Sequence, residues 1–277
     1  MPRISIIVPV YNSHINIALF FDSLLLSNFK DFEVIINDDK RTDDITPNVV
    51  KDYQDKGLNI IYKIENISMA QGRKQGAVYA SGDILIHLDS DMTVTLDLLG
   101  EIVSKMDAKE FDALVIPEEA FGTTFWARCK WLEKKMYEGN DHIESLRVVT
   151  KKVYDSLDGH DEDMVLSEDK DFDIRVREAG YKVGRVRNYL GHNEGELRLI
   201  KTTKKKQGYA KTENFFRKKH PKQFMWQANV FNRYWIFAKH IRYLFIHPIL
   251  YIGVITMKTA EYAFVTYAIL RAWLFHK

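Results

Sequence analysis

Two carboxylates stand one residue apart, Asp89 and Asp91 with Ser90 between them, directly after the apolar run of residues 84–88. Such a run predicts a buried strand, and two acids at its end place negative charge at the edge of a sheet where open α/β folds bind ligands. Carboxylate oxygens suit Mg²⁺ or Mn²⁺, ions that proteins commonly share with substrate phosphates. An Asp-x-Asp triplet also occurs as a solvated turn, so its meaning depends on the elements around it.

The elements that position this triplet alternate through the first 190 residues. Apolar or β-branched runs alternate with stretches of helical spacing, which predicts βαβ units and a mainly parallel sheet with helices on both faces. The predicted strands are residues 4–10, 33–37, 59–63, 84–88 and 113–116, and the predicted helices are residues 15–26, 46–56, 69–80 and 95–106. Because right-handed crossovers bring the ends of parallel strands together, the polar loops after three strands should meet in one cleft.

Composition and charge limit the alternatives. The chain has 277 residues, a net charge of +2 and one cysteine, Cys129, which fits one large domain or a domain with an appendage. A single cysteine excludes an internal disulfide and suits a reducing compartment. Residues 1–10 lack the layout of a signal peptide and predict a first buried strand.

Five short motifs follow one another along the chain. They are SIIVPVYN at residues 5–12, NDDKRTDD at 37–44, GRKQGA at 72–77, SGDILIHLDSD at 81–91 and SEDKDFDIRVREAGY at 167–181. Together they resemble the family 2 glycosyltransferases of GT-A fold, which are inverting enzymes with nucleotide-sugar donors. The resemblance covers roughly residues 3–195, and Lys40-Arg41 stand where the family usually has Gly-Ser.

The resemblance implies an α/β GT-A domain, with a Rossmann-like, mainly parallel sheet flanked by helices, over residues 1–195. Residues 196–277 are predicted to form a basic and apolar helical region that associates with a membrane.

The resemblance also implies a set of donor contacts, with a nucleotide sugar as the ligand. The implied donor-binding residues are Pro9, Tyr11, Asn12, Asp38, Asp39, Arg73, Asp89 and Ser90. Tyr11 would face the nucleobase, and Asp38 or Asp39 would accept a hydrogen bond from it, which suits uracil or guanine better than adenine. Arg73 would lie near the base or the diphosphate; alternatively it is a solvated helix residue.

A divalent ion, Mn²⁺ or Mg²⁺, would stabilise the diphosphate leaving group as charge develops on it. Asp91 is the first choice as its ligand, with Asp89 reaching the ribose or the ion through water. By family position His192 completes the metal or phosphate site, since imidazole is a competent ligand for Mn²⁺. A lone histidine at a surface or in a core is the alternative.

Glu168 and Asp169 open a predicted helix with Ser167 as its N-cap. The family pattern makes Asp169 the general base that deprotonates the acceptor hydroxyl, with Glu168 orienting the acceptor. Acids in a first helical turn also simply suit the helix dipole. A base is needed for a sugar hydroxyl but not for an ionised phosphate, so the pair favours a saccharide or lipid-linked saccharide acceptor.

Residues 121–139 predict an aromatic amphipathic helix, which suits either core packing or an acceptor-side wall. Residues 197–222 carry ten Lys or Arg and one acid, and two apolar runs follow at 243–257 and 262–275. Neither run reaches the ~20 residues of a transmembrane helix, and ionisable residues separate the two runs, so we expect two short amphipathic or re-entrant helices. This pattern predicts a peripheral or monotopic protein on the cytoplasmic face of the cell membrane. The alternative is a homo-oligomer interface, and no motif favours nucleic acid.

These observations predict a metal-dependent inverting glycosyltransferase that extends a lipid-linked or surface glycan. The alternatives are a polyprenyl-phosphate glycosyltransferase and a sugar-nucleotide-binding protein without turnover. A nucleotidyltransferase is disfavoured because residues 9–13 do not form a glycine-rich phosphate loop.

Overall fold

The computed structural model describes residues 1–65, 68–164, 167–203 and 214–275. The chain divides into two compact units. The first comprises Met1–Glu118 and Glu144–Asn193, and the second comprises Glu119–Ile143 and Glu194–Lys277. The functional division into residues 1–195 and 196–277 stays a prediction, and packing groups residues 119–143 with the C-terminal part.

The described residues form ten strands. They are β1 (Ile4–Val10), β2 (Phe32–Asp39), β3 (Ile60–Glu65), β4 (Ile84–His87), β5 (Met92–Val94), β6 (Ala113–Val115), β7 (Glu118–Phe121), β8 (Leu146–Thr150), β9 (Val183–Arg185) and β10 (Leu190–Asn193). The main sheet has the order β3-β2-β1-β4-β8-β6-β9. Its strands pair in parallel except β8, which is antiparallel to both β4 and β6. The α/β fold with a mainly parallel sheet, predicted from the alternation, is therefore confirmed.

Helices cover the sheet in the first unit and make up most of the second. They are α1 (His14–Leu26), α2 (Thr46–Asp55), α3 (Met69–Tyr79), α4 (Leu98–Asp107), α5 (Phe125–Tyr137), α6 (Lys151–Ser156), α7 (Glu168–Glu178), α8 (Asn214–Lys219), α9 (Pro221–Ala228), α10 (Val230–Lys239), α11 (Arg242–Ile246) and α12 (Pro248–Phe275). The four helices predicted in the first 106 residues all form, with ends that differ by up to three residues.

The two faces of the main sheet are buried in separate apolar clusters. Ile6 and Val8 belong to one cluster, whereas Ile7 between them belongs to the other. This follows from the period of two in a strand, which sends successive side chains to opposite faces. A strand buried on both faces reads as an unbroken apolar run, which is the pattern of residues 4–10.

Helix α3 lies close against β1 because Gly76 has no side chain. A Cβ atom at Gly76 would lie 2.4 Å from Cγ2 of Ile7. The side-chain amide of Asn37 also donates to the carbonyl oxygen of Gly72 at 2.8 Å. These two contacts fix α3, and with it Arg73, beside the ends of the central strands.

The second unit has its own apolar core between α5, α10 and α12. Cys129, Leu132 and Met136 of α5 pack in the same cluster as Leu250 and Val254 of α12. The core-packing interpretation of residues 121–139 thus describes most of α5, and the acceptor wall stays a prediction. Burial raises the pKa of the Cys129 thiol to about 11.

The two C-terminal apolar runs were predicted as separate short helices, and this is wrong. Residues 243–246 of the first run lie in α11, whereas residues 248–257 and the second run form one helix, α12, that passes through Lys258 and Glu261 without a break. The Nζ of Lys258 pairs with Glu261 at 2.7 Å and also with Glu133 of α5, so its charge is neutralised inside the second unit. Within the described ranges, no helix combines the length and the apolar character needed to cross a membrane.

Candidate active site

The carboxyl end of β4 places the predicted triplet at the edge of the main sheet. Asp89 follows β4 by two residues, and Nη2 of Arg73 on α3 forms an ion pair with its Oδ1. Arg73 is 2% exposed, and its Nε also contacts Oε1 of Glu168 at 3.2 Å. The interpretation of Arg73 as a solvated helix residue is therefore wrong. Its buried Nη1 has no hydrogen-bond partner among the described residues, so both N–H groups of this nitrogen are unused there.

A second buried arginine, Arg147, reaches the same carboxylate from β8. Its Nη1 lies 3.3 Å from Oδ2 of Asp89, and its Nη2 lies 2.8 Å from Oε1 of Glu118. Because β8 is antiparallel to β4, with Ile86 opposite Val148, its amino end lies beside the carboxyl end of β4. The antiparallel strand thus delivers a cation to the edge where the parallel strands deliver carboxylates.

The two arginines keep Asp89 ionised. Burial by itself would raise the pKa of the Asp89 carboxyl, but the charges of Arg147 and Arg73 outweigh this effect and hold the pKa at about 2. The same attraction raises the pKa of both arginines against the opposing effect of burial.

The predicted base helix, α7, begins at Glu168 as expected. Ser167 stands at the N-cap position, but it has left-handed dihedrals (φ 62°, ψ 25°), and in the described structure its side chain makes no capping hydrogen bond. Ser167 is therefore the N-cap residue, as predicted, but its side chain does not cap the helix. Such a conformation costs about 1–3 kcal/mol for a residue other than glycine and tends to occur at functional sites.

Glu168 and Asp169 differ in environment although they are adjacent. Glu168 is buried against Arg73, and burial raises the pKa of its carboxyl, with Asp169 adding to this effect and Arg73 opposing it. The Asp169 side chain is 31% exposed, and its Oδ2 lies 4.0 Å from Nη2 of Arg147. An accessible carboxylate at Asp169 is the geometry that a general base requires.

Asp91 meets His192 at the same edge of the first unit. His192 lies on β10, which pairs with β5 so that His192 stands opposite Met92. Its Nε2 is 3.4 Å from Oδ2 of Asp91, and its Nδ1 is 3.2 Å from Oε2 of Glu118. The other oxygen of Asp91, Oδ1, is buried and lacks a hydrogen-bond partner among the residues that the structure describes.

The donor set at Asp91 and His192 fits a divalent ion that is shared with a substrate. In the described part of the chain, no group of three or more His, Cys, Asp or Glu side chains is arranged to hold a metal by itself. Mg²⁺ and related ions are usually bound by one or two carboxylates together with waters and substrate phosphates. One carboxylate with an unused buried oxygen, facing one imidazole, satisfies this requirement.

The loops after β1 and β2 are joined by hydrogen bonds. The side-chain amide of Asn12 donates to Asp43 at 2.7 Å, and the backbone N–H of Asp43 donates to Oδ1 of Asn12 at 2.9 Å. Asn12 has a φ of 44°, a left-handed conformation that asparagine tolerates better than most residues. Tyr11 is exposed beside it, with the Arg41 guanidinium 5.7 Å from the centre of its ring.

The predicted base-recognition acids already have partners within the protein. Nε of Arg41 donates to Asp39 at 2.9 Å and its Nη2 forms a further ion pair, which lowers the pKa of Asp39. Asp38 accepts hydrogen bonds from the hydroxyls of Thr42 and Tyr62, and burial raises its pKa. The departure from Gly-Ser at Lys40-Arg41 therefore has a structural consequence, because Arg41 forms an ion pair with Asp39.

The remaining predicted donor residues lie on the same edge. Pro9 is buried in β1 opposite Asn37 of β2, and the hydroxyl of Ser13 donates to that of Ser90 at 2.7 Å. Contact of any of these residues with a nucleotide stays a prediction.

A neutral aromatic layer lies beneath the arginines. The rings of His87 and His160 are 4.6 Å apart, and Tyr154 stacks on His87 at 5.0 Å. Burial, together with the charge of Arg73, lowers the pKa of both histidines well below the usual value. They stay uncharged, so the cationic charge on this side of the cluster comes from Arg73 and Arg147.

Sequence reasoning missed Arg147 and Glu118, which connect Asp89, Asp169 and His192. Neither belongs to one of the five motifs: Arg147 is the single charged residue of β8, and Glu118 is followed by Glu119 in β7. A charged residue inside the apolar stretch LRVV was the available signal for Arg147. Its meaning depends on strand pairing, which a short run does not reveal.

The fold and this edge define an α/β protein of GT-A type with a carboxylate-rich site at the ends of its strands. The model of the family "Glycosyl transferase family 2" matches residues 5–150, just over half of the chain. The chain therefore belongs to glycosyl transferase family 2, as the five motifs predicted.

Two curated relatives match part of the chain. GalNAc(5)-diNAcBac-PP-undecaprenol beta-1,3-glucosyltransferase of Campylobacter jejuni is 32% identical over 109 residues, covering 38% of this chain and 35% of that protein. Poly(ribitol-phosphate) beta-N-acetylglucosaminyltransferase TarS of Staphylococcus aureus is 31% identical over 121 residues, covering 42% and 21% respectively. The matched segment thus spans about a third or less of the length of these relatives.

Solved structures share the fold at low identity. TarS 1–349 of S. aureus in complex with UDP-GlcNAc has a TM-score of 0.58 at 18% identity, covering 77% of this chain and 67% of that one. The mannosyltransferase PcManGT of Pyrobaculum calidifontis, in complex with GDP-Man and Mn²⁺, has a TM-score of 0.60 at 16% identity, covering 99% and 76%.

Proposed function

We propose that this protein is a metal-dependent inverting hexosyltransferase. It moves a sugar from a UDP- or GDP-sugar to a hydroxyl of a lipid-linked or surface-glycan acceptor. The observation that carries the proposal is the convergence of Asp89, Asp91, His192 and Asp169 at one edge of the first unit, held by Arg73 and Arg147. The named relatives act on lipid-linked or polymeric acceptors, and two solved neighbours hold UDP-GlcNAc and GDP-Man.

The reaction is a single displacement at the anomeric carbon. The acceptor oxygen forms a bond to that carbon while the bond to the diphosphate oxygen breaks, and the nucleoside diphosphate leaves with the electron pair. Asp169 takes the proton of the acceptor hydroxyl, a role that its partly exposed side chain can perform. No protein nucleophile is needed, and the anomeric configuration is inverted.

The other residues bind and orient the donor. Asp91 and His192 would hold a Mn²⁺ or Mg²⁺ ion, whose charge stabilises the leaving diphosphate. The unused N–H groups on Nη1 of Arg73 would donate to a phosphate or ribose oxygen of the donor. Glu168 orients the acceptor or the base loop from its position against Arg73.

A thermal-shift panel tests this function. UDP-, GDP- and dTDP-sugars are added with and without Mn²⁺, since a ligand that binds the native state raises its melting temperature. We expect a UDP- or a GDP-sugar to stabilise the protein only with the ion present, and release of the nucleoside diphosphate to follow when an acceptor is supplied. The absence of any nucleotide-dependent shift would contradict the proposal.

We further propose that the second unit attaches the protein to an anionic membrane surface, on the cytoplasmic face where nucleotide sugars are made. Its helices α10, α11 and α12 expose large apolar side chains, with Phe231 82% and Phe245 81% exposed. Basic side chains accompany them: Lys239 lies over Trp235 and Arg242 lies over Tyr243. Exposed aromatic and basic side chains on surface helices are typical of interfacial binding. The basic residues 204–213 of this prediction lie outside the described residues.

Removing α12 would be a poor test of membrane binding, because it would uncover Cys129 and Leu132 in the core of the second unit. The exchanges Phe231→Ser, Phe245→Ser and Ile249→Ser, combined, change exposed side chains only. We expect them to lower co-flotation with phosphatidylglycerol-rich vesicles by about 10-fold or more, given ~1 kcal/mol or more per inserted side chain. Leu26→Ser with Val78→Ser, equally exposed in the first unit, is the matched control. Full-length protein that stays off the vesicles at low salt and forms a defined oligomer would favour the interface instead.

A further inference from the structure

We propose that Arg147 is a positioning residue of this site, which fixes the Asp91–His192 pair through Glu118 and fixes Asp169 relative to Asp89. The inference rests on the proposed function and adds two residues to it, Arg147 and Glu118. An arginine guanidinium is not deprotonated in proteins, so Arg147 cannot act as the acid or the base. Its contribution is the placement of three carboxylates.

One guanidinium reaches all three carboxylates. Nη1 of Arg147 lies 3.3 Å from Oδ2 of Asp89, while Nη2 lies 2.8 Å from Oε1 of Glu118 and 4.0 Å from Oδ2 of Asp169. Arg147 is 7% exposed, so its charge is screened little by water or salt. The planar fork of arginine holds its partners at fixed angles, which a lysine ammonium does not do.

Glu118 links Arg147 to His192 of the predicted metal site. Its Oε1 binds Arg147 and its Oε2 lies 3.2 Å from Nδ1 of His192, so one carboxylate is shared between the two side chains. Acceptance of the Nδ1–H by Glu118 selects the tautomer whose Nε2 lone pair faces Asp91, 3.4 Å away. Outer partners of this kind orient a metal-binding histidine, and their loss typically weakens metal affinity 10- to 100-fold.

Arg147 also lies close to Asp169, the proposed general base. The backbone N–H of Lys170 donates to Oδ1 of Asp169 at 2.7 Å, so Oδ2 is the oxygen that faces Arg147. At 4.0 Å the contact with Arg147 is electrostatic and leaves Oδ2 able to accept a proton. Arg73 contacts Glu168 and Asp89, which gives the two arginines different tasks.

The test compares Arg147→Met, Arg147→Lys and Glu118→Gln with a control in the same unit. Arg175→Met removes an arginine of α7 that pairs with buried Asp171 at 2.8 Å. Affinity for Mn²⁺ alone is measured by electron paramagnetic resonance, affinity for UDP and GDP with Mn²⁺ by titration calorimetry, and kcat and KM by release of the nucleoside diphosphate.

We expect Arg147→Met and Glu118→Gln each to weaken Mn²⁺ binding by about 10- to 100-fold, since each breaks the path to His192. Combining them should cost little more than Arg147→Met alone, because both act through one path. Arg147→Met should also lower kcat at saturating Mn²⁺, whereas Glu118→Gln should largely keep it. Arg147→Lys should recover part of kcat but not the Mn²⁺ affinity. Arg175→Met should lower the melting temperature and leave Mn²⁺ affinity as it is.

The outcomes separate the two proposals. Wild-type protein that binds neither UDP nor GDP with Mn²⁺ would overturn the proposed function and this inference with it. Nucleotide binding by the wild type, with Arg147→Met behaving like Arg175→Met, would overturn the inference alone. Should Arg147→Met fail to fold, the isosteric Glu118→Gln decides, because unchanged Mn²⁺ affinity in that variant also overturns it.

Discussion

Each unit of this protein buries a cluster of ion pairs, and the two clusters differ in whether their charges balance. In the second unit, fully buried Glu133 lies between two lysines, with Nζ of Lys130 2.9 Å from its Oε2 and Lys258 at its Oε1. Lys258 also pairs with Glu261 at 2.7 Å. Two cations thus face two carboxylates.

In the first unit, two cations face more carboxylates than they can neutralise. Arg73 and Arg147 are surrounded by Asp89, Glu118, Glu168 and Asp169. Asp91 adds a further carboxylate nearby, with one buried oxygen that has no hydrogen-bond partner among the described residues. Burial raises the pKa of Glu168, and the charge of Arg73 opposes this effect.

The difference distinguishes a structural role from a binding role. A buried ion pair needs full compensation, since an uncompensated buried charge costs several kcal/mol. The balanced cluster of the second unit meets this condition within the protein and joins α12 to α5. The unbalanced cluster of the first unit would meet it by binding a cation, such as the divalent ion of the proposed function.

The largest effect on activity is expected at Asp91, in the unbalanced cluster of the first unit. Asp91→Ala removes the carboxylate with the unused oxygen, so transfer should fall by about 10³-fold or more, because metal stabilisation contributes several kcal/mol. Mn²⁺-dependent nucleotide binding should disappear while the melting temperature stays near that of the wild type. Calorimetry and circular dichroism check both parts, and unchanged metal-dependent binding would remove Asp91 from the metal site.

The next effect concerns the base. Asp169→Asn preserves the shape of the side chain and removes its basicity, so kcat should fall by about 10²-fold or more while donor affinity is kept. Steady-state kinetics with donor and acceptor varied separately measure this. Near-normal turnover would move the base elsewhere or indicate an acceptor that is already ionised, such as a polyprenyl phosphate.

A substitution in the balanced cluster of the second unit should lower the free energy of unfolding and leave nucleotide binding unchanged. Lys258→Met removes one of the two lysines that pair with buried Glu133, so the free energy of unfolding should fall by about 2 kcal/mol. Urea titration measures this change, with the exposed Lys239→Met as the control. Nucleotide affinity should be unaffected, and a loss of affinity at constant stability would contradict the assigned roles.

The smallest effect is a pH dependence that belongs to Asp89. Its folded-state pKa of about 2 lies below the ordinary value near 4, so its contribution to stability is complete above pH 4 and is lost as pH falls toward 2. Between pH 4 and pH 3 the wild type should lose about 1 kcal/mol more than Asp89→Asn does. Denaturant titrations at the two pH values test this, and equal losses in both proteins would show that Asp89 is not held ionised.

Structural features that depend on a few neighbouring residues were predicted correctly from the sequence. The strand–carboxylate transition at residues 84–91 and the helix start at Glu168 each depend on a few neighbouring residues, and both lie where they were expected. The left-handed conformation of Ser167 was not predicted, because the capping preference of serine favours an ordinary N-cap. Local propensity yields to the surrounding structure at that position.

The sequence by itself determined the alternation of strands and helices, the family and the acidic motifs, because periodicity and motif order are properties of neighbouring residues. Tertiary structure alone decided that β8 runs antiparallel and brings Arg147 to Asp89, and that Glu118 joins Arg147 to His192. It also decided that α12 continues through Lys258, whose buried charge is neutralised by Glu133 of α5 together with Glu261. In each case the partner is distant in the chain, and the free energy of a buried charge depends on a neighbour that only the folded structure supplies.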